Sequence, residues 1–310
     1  MHYSGTIWRP PYEASSLLIE VTAGCTHHKC KFCTLYEDLP FKFRMSPIED
    51  VESDLKEAQM FFHSPQRKLG NKLLGRDEER NCRVFLTGAN PFVLAFEKLK
   101  TIAKLIKKYF PSNRSIGCFS RITDVALKTD DELSELHSLG FDGLTIGIET
   151  ADDEALTFMN KGYLSKDIIE QCTRLDNAGI SYNFFYLTSI SGAGRGETGA
   201  KLTADVCNQL HPKLIGANML TIYPNSELYR EIQSGDWQEE SEIEKYEELK
   251  MLVNNLNIPV IFAALGASNA IQLYGRLPQD KEQLLSALNQ ITSQFSEEEL
   301  RNYRKNLRHL

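Results

Sequence analysis

The chain has 310 residues, 42% of them hydrophobic and 25% charged, a balance that suits a globular protein and excludes disorder. Its formal net charge of −7 gives no sign of a polyanion partner for the chain as a whole. The longest apolar run, residues 258–265, is too short to span a bilayer. The N-terminal Met-His-Tyr-Ser-Gly-Thr-Ile-Trp lacks the basic-then-apolar order of a signal peptide, so a cytoplasmic location is expected.

In chain order, a first strand is predicted at 16–22, followed directly by a segment holding Cys25, Cys30 and Cys33. Ser46-Pro47-Ile48-Glu49 reads as a capping box with proline at the first helical position, and Ile48, Val51, Leu55 and Phe62 then share a face. Residues 63–81 are polar and glycine-punctuated and read as a surface loop, either a lid or a plain insertion. A strand at 83–87 precedes a helix marked by Leu94, Leu99, Ile102 and Ile106. A strand at 115–120 precedes a helix with Leu133, Leu136 and Leu139 that closes at Gly140. The strand at 143–148 leads to a helix with Ile168, Cys172 and Leu175, closing at Gly179. Strands at 181–190 and 214–223 are followed by helices marked by Leu202, Val206 and Leu210, and by Tyr246, Leu249 and Val253. A seventh strand at 258–264 and two tail helices complete the chain, the last capped by Ser296 and Glu299.

Several of these strands are continuous apolar runs, as expected where both faces of a parallel sheet are covered. Six βα units predict an α/β fold, a partial (βα)6 barrel of parallel strands with a helical C-terminal tail. The expected division is a barrel over 1–265 and a tail over 266–310. A site then belongs in the loops after the strands, where the cysteine segment lies. In the tail, Arg301, Arg304, Lys305 and Arg308 share one helix face, which reads as a solvated face in preference to a nucleic-acid stripe.

The seven cysteines are an odd number, which argues against a disulfide scaffold in a reducing compartment. Cys82, Cys118, Cys172 and Cys207 are scattered, whereas Cys25, Cys30 and Cys33 fall within nine residues. Spacings of i, i+5 and i+8 do not align on one helix face, so a loop wrapped around an inorganic centre is the natural reading. Thiolates select zinc, copper(I) or an iron–sulfur cluster. Zinc would need a fourth ligand; His27 and His28 lie inside the loop, and the chain has no second CxxC pair. Three thiolates on a four-iron cluster leave one iron open.

A strand followed by a cysteine loop, with Phe32 just before the third cysteine, resembles the radical S-adenosylmethionine (radical SAM) superfamily. The similarity is greatest to its branch containing coproporphyrinogen dehydrogenase, methylthiotransferases and the Elongator catalytic subunit, and it covers residues 10 to 265. The usual spacing in that family has three residues between the first two cysteines, and here there are four. The resemblance implies a 4Fe–4S cluster on Cys25, Cys30 and Cys33, with S-adenosylmethionine (SAM) chelated at the open iron. It implies reductive cleavage of SAM to a 5′-deoxyadenosyl radical that abstracts hydrogen from a substrate, with an electron donor such as flavodoxin or ferredoxin.

Carried over residue by residue, the resemblance places Gly88 and Ala89 at the SAM amino group, with Asn90 standing where the family has an acid. Glu149 would meet the amino group or ribose, Phe32 and Ile190 the adenine, and Arg195 the carboxylate; the Tyr223–Ser226 stretch is a weaker adenine-side match. Cys118 reads as a core residue or, less readily, a hydrogen donor. With no appended cobalamin or RNA-binding module, the expected substrate is a small molecule or peptide. The alternatives are a tRNA-modifying radical enzyme that uses the basic last helix, and a non-enzymatic zinc- or iron–sulfur-binding protein.

Overall fold

The structure, a computed structural model, describes residues 1–75 and 83–307. The chain separates into two compact units, the first formed by Met1–His28, Leu35–Thr145 and Asn177–Ile180, the second by Lys29–Thr34, Ile146–Asp176 and Ser181–Leu310.

The first unit contains β1 (Leu17–Glu20), β2 (Thr22–Gly24), β3 (Phe43–Met45), α1 (Ile48–Phe62), α2 (Pro65–Leu73), β4 (Val84–Thr87), α3 (Phe96–Tyr109), β5 (Ile116–Ser120), α4 (Ile122–Val125) and α5 (Asp130–Ser138). β4 lies between β1 and β5 and pairs with both in parallel. Its four residues, Val-Phe-Leu-Thr, are all buried, the pattern of a strand covered on both faces. α3 buries Leu99, Ile102, Ala103 and Ile106, the apolar stripe that the helical period predicts.

The single strand expected at 16–22 is broken at Val21. β2 leaves the parallel sheet and forms an antiparallel ribbon with β3. The ribbon closes at Gly24, where a Cβ would lie 2.1 Å from the Lys42 carbonyl oxygen, so only glycine allows that approach. The helix start at Ser46-Pro47 also differs from expectation. Ser46 donates its N–H to the Val21 carbonyl, and Pro47 takes the N-cap position without a side-chain cap. In the stretch expected to be a loop, residues 65–73 form α2, capped by Ser64 through the Arg67 N–H. Cys82 lies outside the described residues.

The second unit contains most of β6 (Leu144–Glu149), then α6 (Asp153–Phe158), α7 (Ser165–Ala178), β7 (Tyr182–Thr188), α8 (Gly196–Cys207), β8 (Leu214–Met219), α9 (Glu227–Ser234), α10 (Glu242–Asn255), β9 (Val260–Ala264), β10 (Leu273–Leu277), α11 (Lys281–Gln294) and α12 (Glu297–Lys305). Its strands follow the order β6-β7-β8-β9-β10. β7, β8 and β9 pair in parallel and β10 joins antiparallel. The α/β class, the parallel βα units and the C-terminal helices are as expected. The stretch expected as a helical tail also supplies a strand, β10, which pairs with β9. Its Leu-Tyr-Gly-Arg-Leu alternates buried and exposed, as a half-covered strand does.

β7 and β8 end earlier than expected. Ser189 has φ +76° and turns its N–H to the Glu248 carboxylate, which stops β7. After β8 the chain runs to Ser226, whose hydroxyl accepts from Tyr229 N–H and caps α9. The capping box at Ser296 and Glu299 forms as predicted. No helix among the described residues is long and apolar enough to cross a membrane.

Candidate active site

The cysteine segment follows β2, and each of its halves is held within its own unit. In the first unit, Cys25 donates its N–H to the Lys42 carbonyl at 2.8 Å. The next residue, Thr26, meets Asn90 twice: Asn90 Nδ2 donates to Thr26 Oγ1 at 2.8 Å, and Thr26 N donates to Asn90 Oδ1 at 3.4 Å. In the second unit, Cys33 N donates to the Cys30 carbonyl at 3.0 Å, a tight turn. Between them, Lys31 N donates to the Met159 carbonyl and the Lys31 carbonyl accepts from Leu228 N. The Lys31 ammonium pairs with Glu231 and lies 4.1 Å above the Phe158 ring. Cys25 and Cys30 are half-buried thiols and Cys33 is exposed. Among the described residues, no three His, Cys, Asp or Glu side chains are already gathered around a point that would hold a metal ion. The donor set of three accessible thiols in one short loop nonetheless suits an iron–sulfur cluster, as does the buried His28 Nδ1 in the same loop, which has no hydrogen-bond partner.

At the strand ends of the first unit, Gly88 has φ +135°, and a Cβ there would lie 1.9 Å from Thr22 Oγ1. Glycine is therefore required by the chain's own packing as well as by its backbone angle. Asn90 is fully buried. Its Nδ2 also donates to both oxygens of Asp124, at 3.1 and 3.2 Å. Asp124 accepts the Arg121 N–H at 2.9 Å at the start of α4. Burial pushes its carboxyl up to about 6, against the pull of those donors. Lys128, pushed down to about 8 by burial, donates to the carbonyls of Phe92 and Asp124. The sequence gives Asn90 only as a weak substitute for an acid; here it joins the cysteine loop to the start of α4. Cys118 on β5 is fully buried, and burial raises its thiol well above the ordinary range, which fits a core residue.

At the strand ends of the second unit, Glu149 closes β6 with φ +64°. Its Oε1 accepts from the Lys161 ammonium at 3.1 Å, and Lys161 also donates to the Gly147 carbonyl at 3.0 Å. The Tyr163 hydroxyl donates to the same carbonyl at 2.8 Å. The buried ammonium lies 5.7 Å from the centre of the Phe32 ring. Phe32 packs against an apolar cluster that includes Ile190, Met159, Leu228 and Trp237. Lys161 was missed in the sequence; its signal, a lysine just before a glycine, is too common to single out.

Arg195 is the N-cap residue of α8, and its guanidinium is engaged. Nη2 donates to both oxygens of buried Asp152, at 3.1 and 3.0 Å, and Nη1 lies 2.6 Å from Glu154. These bonds, chiefly the one to Asp152, raise its pKa. Close by in sequence, Ser189 leads to a buried carboxyl pair. Glu248 accepts from Ser189 N at 2.6 Å and from the Tyr186 hydroxyl. Glu240 beside it is pushed up to about 10, first by burial and then by Glu248. A Cβ at Gly196 would lie 1.9 Å from Glu240 Oε1 and 2.9 Å from Glu248 Oε2, so this glycine makes room for the pair. In α12, Arg301 pairs with Glu297, while Arg304 pairs with Glu239 and Glu242 and donates to the Leu220 carbonyl. Those two cations pack against the chain's own acids; Arg308 lies outside the described residues.

The family model of the Radical SAM superfamily matches residues 71–204. The matched residues, fewer than half of the chain, resemble a radical SAM domain. The matched stretch begins after the cysteine loop and includes β4 through most of α8. The fold is similar to that of coproporphyrinogen III oxidase from Escherichia coli, a radical SAM enzyme, with a TM-score of 0.56 at 18% identity over 77% of this chain and 51% of that one. The radical S-adenosylmethionine methyltransferase TsrM from Kitasatospora setae, with cobalamin and a [4Fe-4S] cluster bound, gives 0.51 at 14% identity over 71% and 37%. Elp3 from the archaeon Methanocaldococcus infernus gives 0.51 at 13% identity over 89% and 63%. The chain spans between 37% and 63% of the length of these structures. A comparison with curated protein sequences found no match. The similarities are thus to radical SAM proteins, one of them with a [4Fe-4S] cluster bound.

Proposed function

We propose that Cys25, Cys30 and Cys33 hold a 4Fe–4S cluster and that the protein uses it, with SAM, to abstract a hydrogen atom from a small molecule or peptide. When bound, the cluster supplies one electron that breaks the sulfonium bond of SAM, releasing methionine and a 5′-deoxyadenosyl radical. The observation that carries this reading is the loop of three accessible thiols anchored by backbone hydrogen bonds at Cys25 and around Lys31.

The chain's own residues then receive SAM. Gly88 and Ala89 offer backbone carbonyls at the end of β4. Glu149 accepts from the SAM ammonium, and Lys161 beside it is a buried cation suited to the SAM carboxylate, so the existing ion pair can be shared with a zwitterion. Phe32 and Ile190 supply apolar surface for the adenine. Arg195 stays a candidate contact on its glycine-rich turn, reached once its bonds to Asp152 and Glu154 open. Thr87 and Thr188, which end β4 and β7, keep buried hydroxyls without partners, as polar groups awaiting a ligand do. An electron donor such as flavodoxin or ferredoxin and a cytoplasmic location complete the proposal. The ion pairs of Arg301 and Arg304 remove support from an RNA-directed reading.

The test is anaerobic reconstitution with iron and sulfide, then reduction in the presence of SAM. 5′-Deoxyadenosine is expected from the wild type and not from Cys30→Ala. Its absence from the wild type, or its equal formation by the variant, defeats the proposal.

A further inference from the structure

His28 lies inside the cysteine loop, between Cys25 and Cys30. Its φ of +47° puts a non-glycine residue in left-handed backbone, a conformation that persists where the surroundings impose it. Its Nδ1 is buried and has no hydrogen-bond partner. A buried ring nitrogen in that state is destabilising and asks for an explanation. Both features are accounted for if the loop is shaped around a group that the polypeptide does not itself provide. The chemistry of that group narrows what the nitrogen does. Thiolates and inorganic sulfides only accept hydrogen bonds, so a nitrogen facing them must bear the proton. A neutral imidazole can place its proton on Nδ1.

We infer that His28 is a further residue of the cluster site, donating from Nδ1 to a cluster sulfur and so holding the cluster's reduction potential up. This inference rests on reading Cys25, Cys30 and Cys33 as cluster ligands. A donor aimed at sulfur stabilises the reduced, more negatively charged state, which is how hydrogen bonding tunes such potentials. The loop has four residues between its first two cysteines, and His28 is among them.

Two variants isolate the donor from the backbone. His28→Gly removes the nitrogen but suits a positive φ. His28→Asn also tolerates that φ, and its Nδ2 stands two bonds from Cβ, as Nδ1 does. Each full-length protein is reconstituted anaerobically, its iron and sulfide are measured, and its cluster is titrated against redox mediators with detection by electron paramagnetic resonance. Both variants are expected to take up cluster as the wild type does. At the wild-type midpoint, His28→Gly should show a ratio of reduced to oxidised cluster about tenfold lower, the size of one charge-assisted hydrogen bond. His28→Asn should stay close to wild type. An unchanged midpoint in His28→Gly, or an equal fall in His28→Asn, overturns the inference. Should His28→Gly take up no cluster, His28→Asn decides alone: wild-type loading and midpoint support the role, and a lowered midpoint or failed loading refutes it. A wild type that binds zinc or no cluster is a separate result, because it removes the reading of the three cysteines on which this one stands.

Discussion

Asn90, Thr26 and Asp124 in the first unit are joined by hydrogen bonds from amide and backbone N–H groups, whereas the strand ends of the second unit are closed by ion pairs, Glu149 with Lys161 and Asp152 with Arg195. The difference separates two tasks. Hydrogen bonds from uncharged donors to a buried amide and one buried carboxylate hold a loop in one shape whatever ligand is present, and leaving the buried ones unmade is costly. An ion pair can be redistributed, because a zwitterionic ligand brings one charge for each partner. On the proposed function, the first unit fixes Cys25 and the second exchanges partners with SAM.

Substitutions that break each type of closure should rank accordingly. The largest effect is expected at Gly196, where a Cβ would lie 1.9 Å from Glu240 Oε1. Gly196→Ala overpacks the buried carboxyl pair and should cost about 3 kcal/mol in urea denaturation; a loss under about 1 kcal/mol would show that Glu240 can move aside. In the first unit, Asn90→Leu leaves the Asp124 carboxylate without its amide donor and should cost about 2 kcal/mol by the same measurement. Because Thr26 also loses its anchor, reconstituted cluster content should fall in parallel.

Next come the ion pairs of the second unit. Lys161→Met should weaken SAM binding by about twentyfold in equilibrium dialysis of the reconstituted protein. Arg195→Met should weaken it by only about threefold, because the arginine is 41% exposed and already paired. The reverse order would return the carboxylate contact to Arg195.

A separate effect concerns pH. Glu240, raised to about 10 in the fold, keeps a proton there that it loses in the unfolded chain near the usual carboxylate range. The folded state thus binds more protons between these limits, so the contribution of this group to stability is present at low pH and is lost as pH rises. The wild type should lose stability between pH 5 and 9 with a slope of up to about 1.4 kcal/mol per unit, and Glu240→Gln should flatten it. Melting curves that stay equally steep in the variant would place the proton elsewhere.

Much of the architecture was legible because burial is periodic. The runs that became β4 and β5 are continuously apolar, α3 repeats its apolar residues at the helical interval, and Ser296 with Glu299 announces a helix start. The errors fall where a tertiary contact overrides the local pattern. β1 stops at Glu20 because β2 is drawn into the ribbon with β3, and β7 stops at Thr188 because the Glu248 carboxylate takes the next N–H. β10 was missed because a five-residue strand ending at a proline carries little periodic signal.

The site divides in the same way. The sequence by itself determined the three thiols, since a short loop confines them whatever the fold, and it singled out Glu149 and Phe32 by their positions beside a strand end and a cysteine. Only the tertiary structure decided which groups these residues face. Lys161, 12 residues beyond Glu149, supplies its cation; Asn90 reaches Asp124 across 34 residues; Arg304 finds Glu242 across 62. Periodicity reports which face of an element is buried, but not which charges meet once several elements converge. That pairing is set by how each buried charge is compensated in the folded chain, and this depends on residues far apart in sequence.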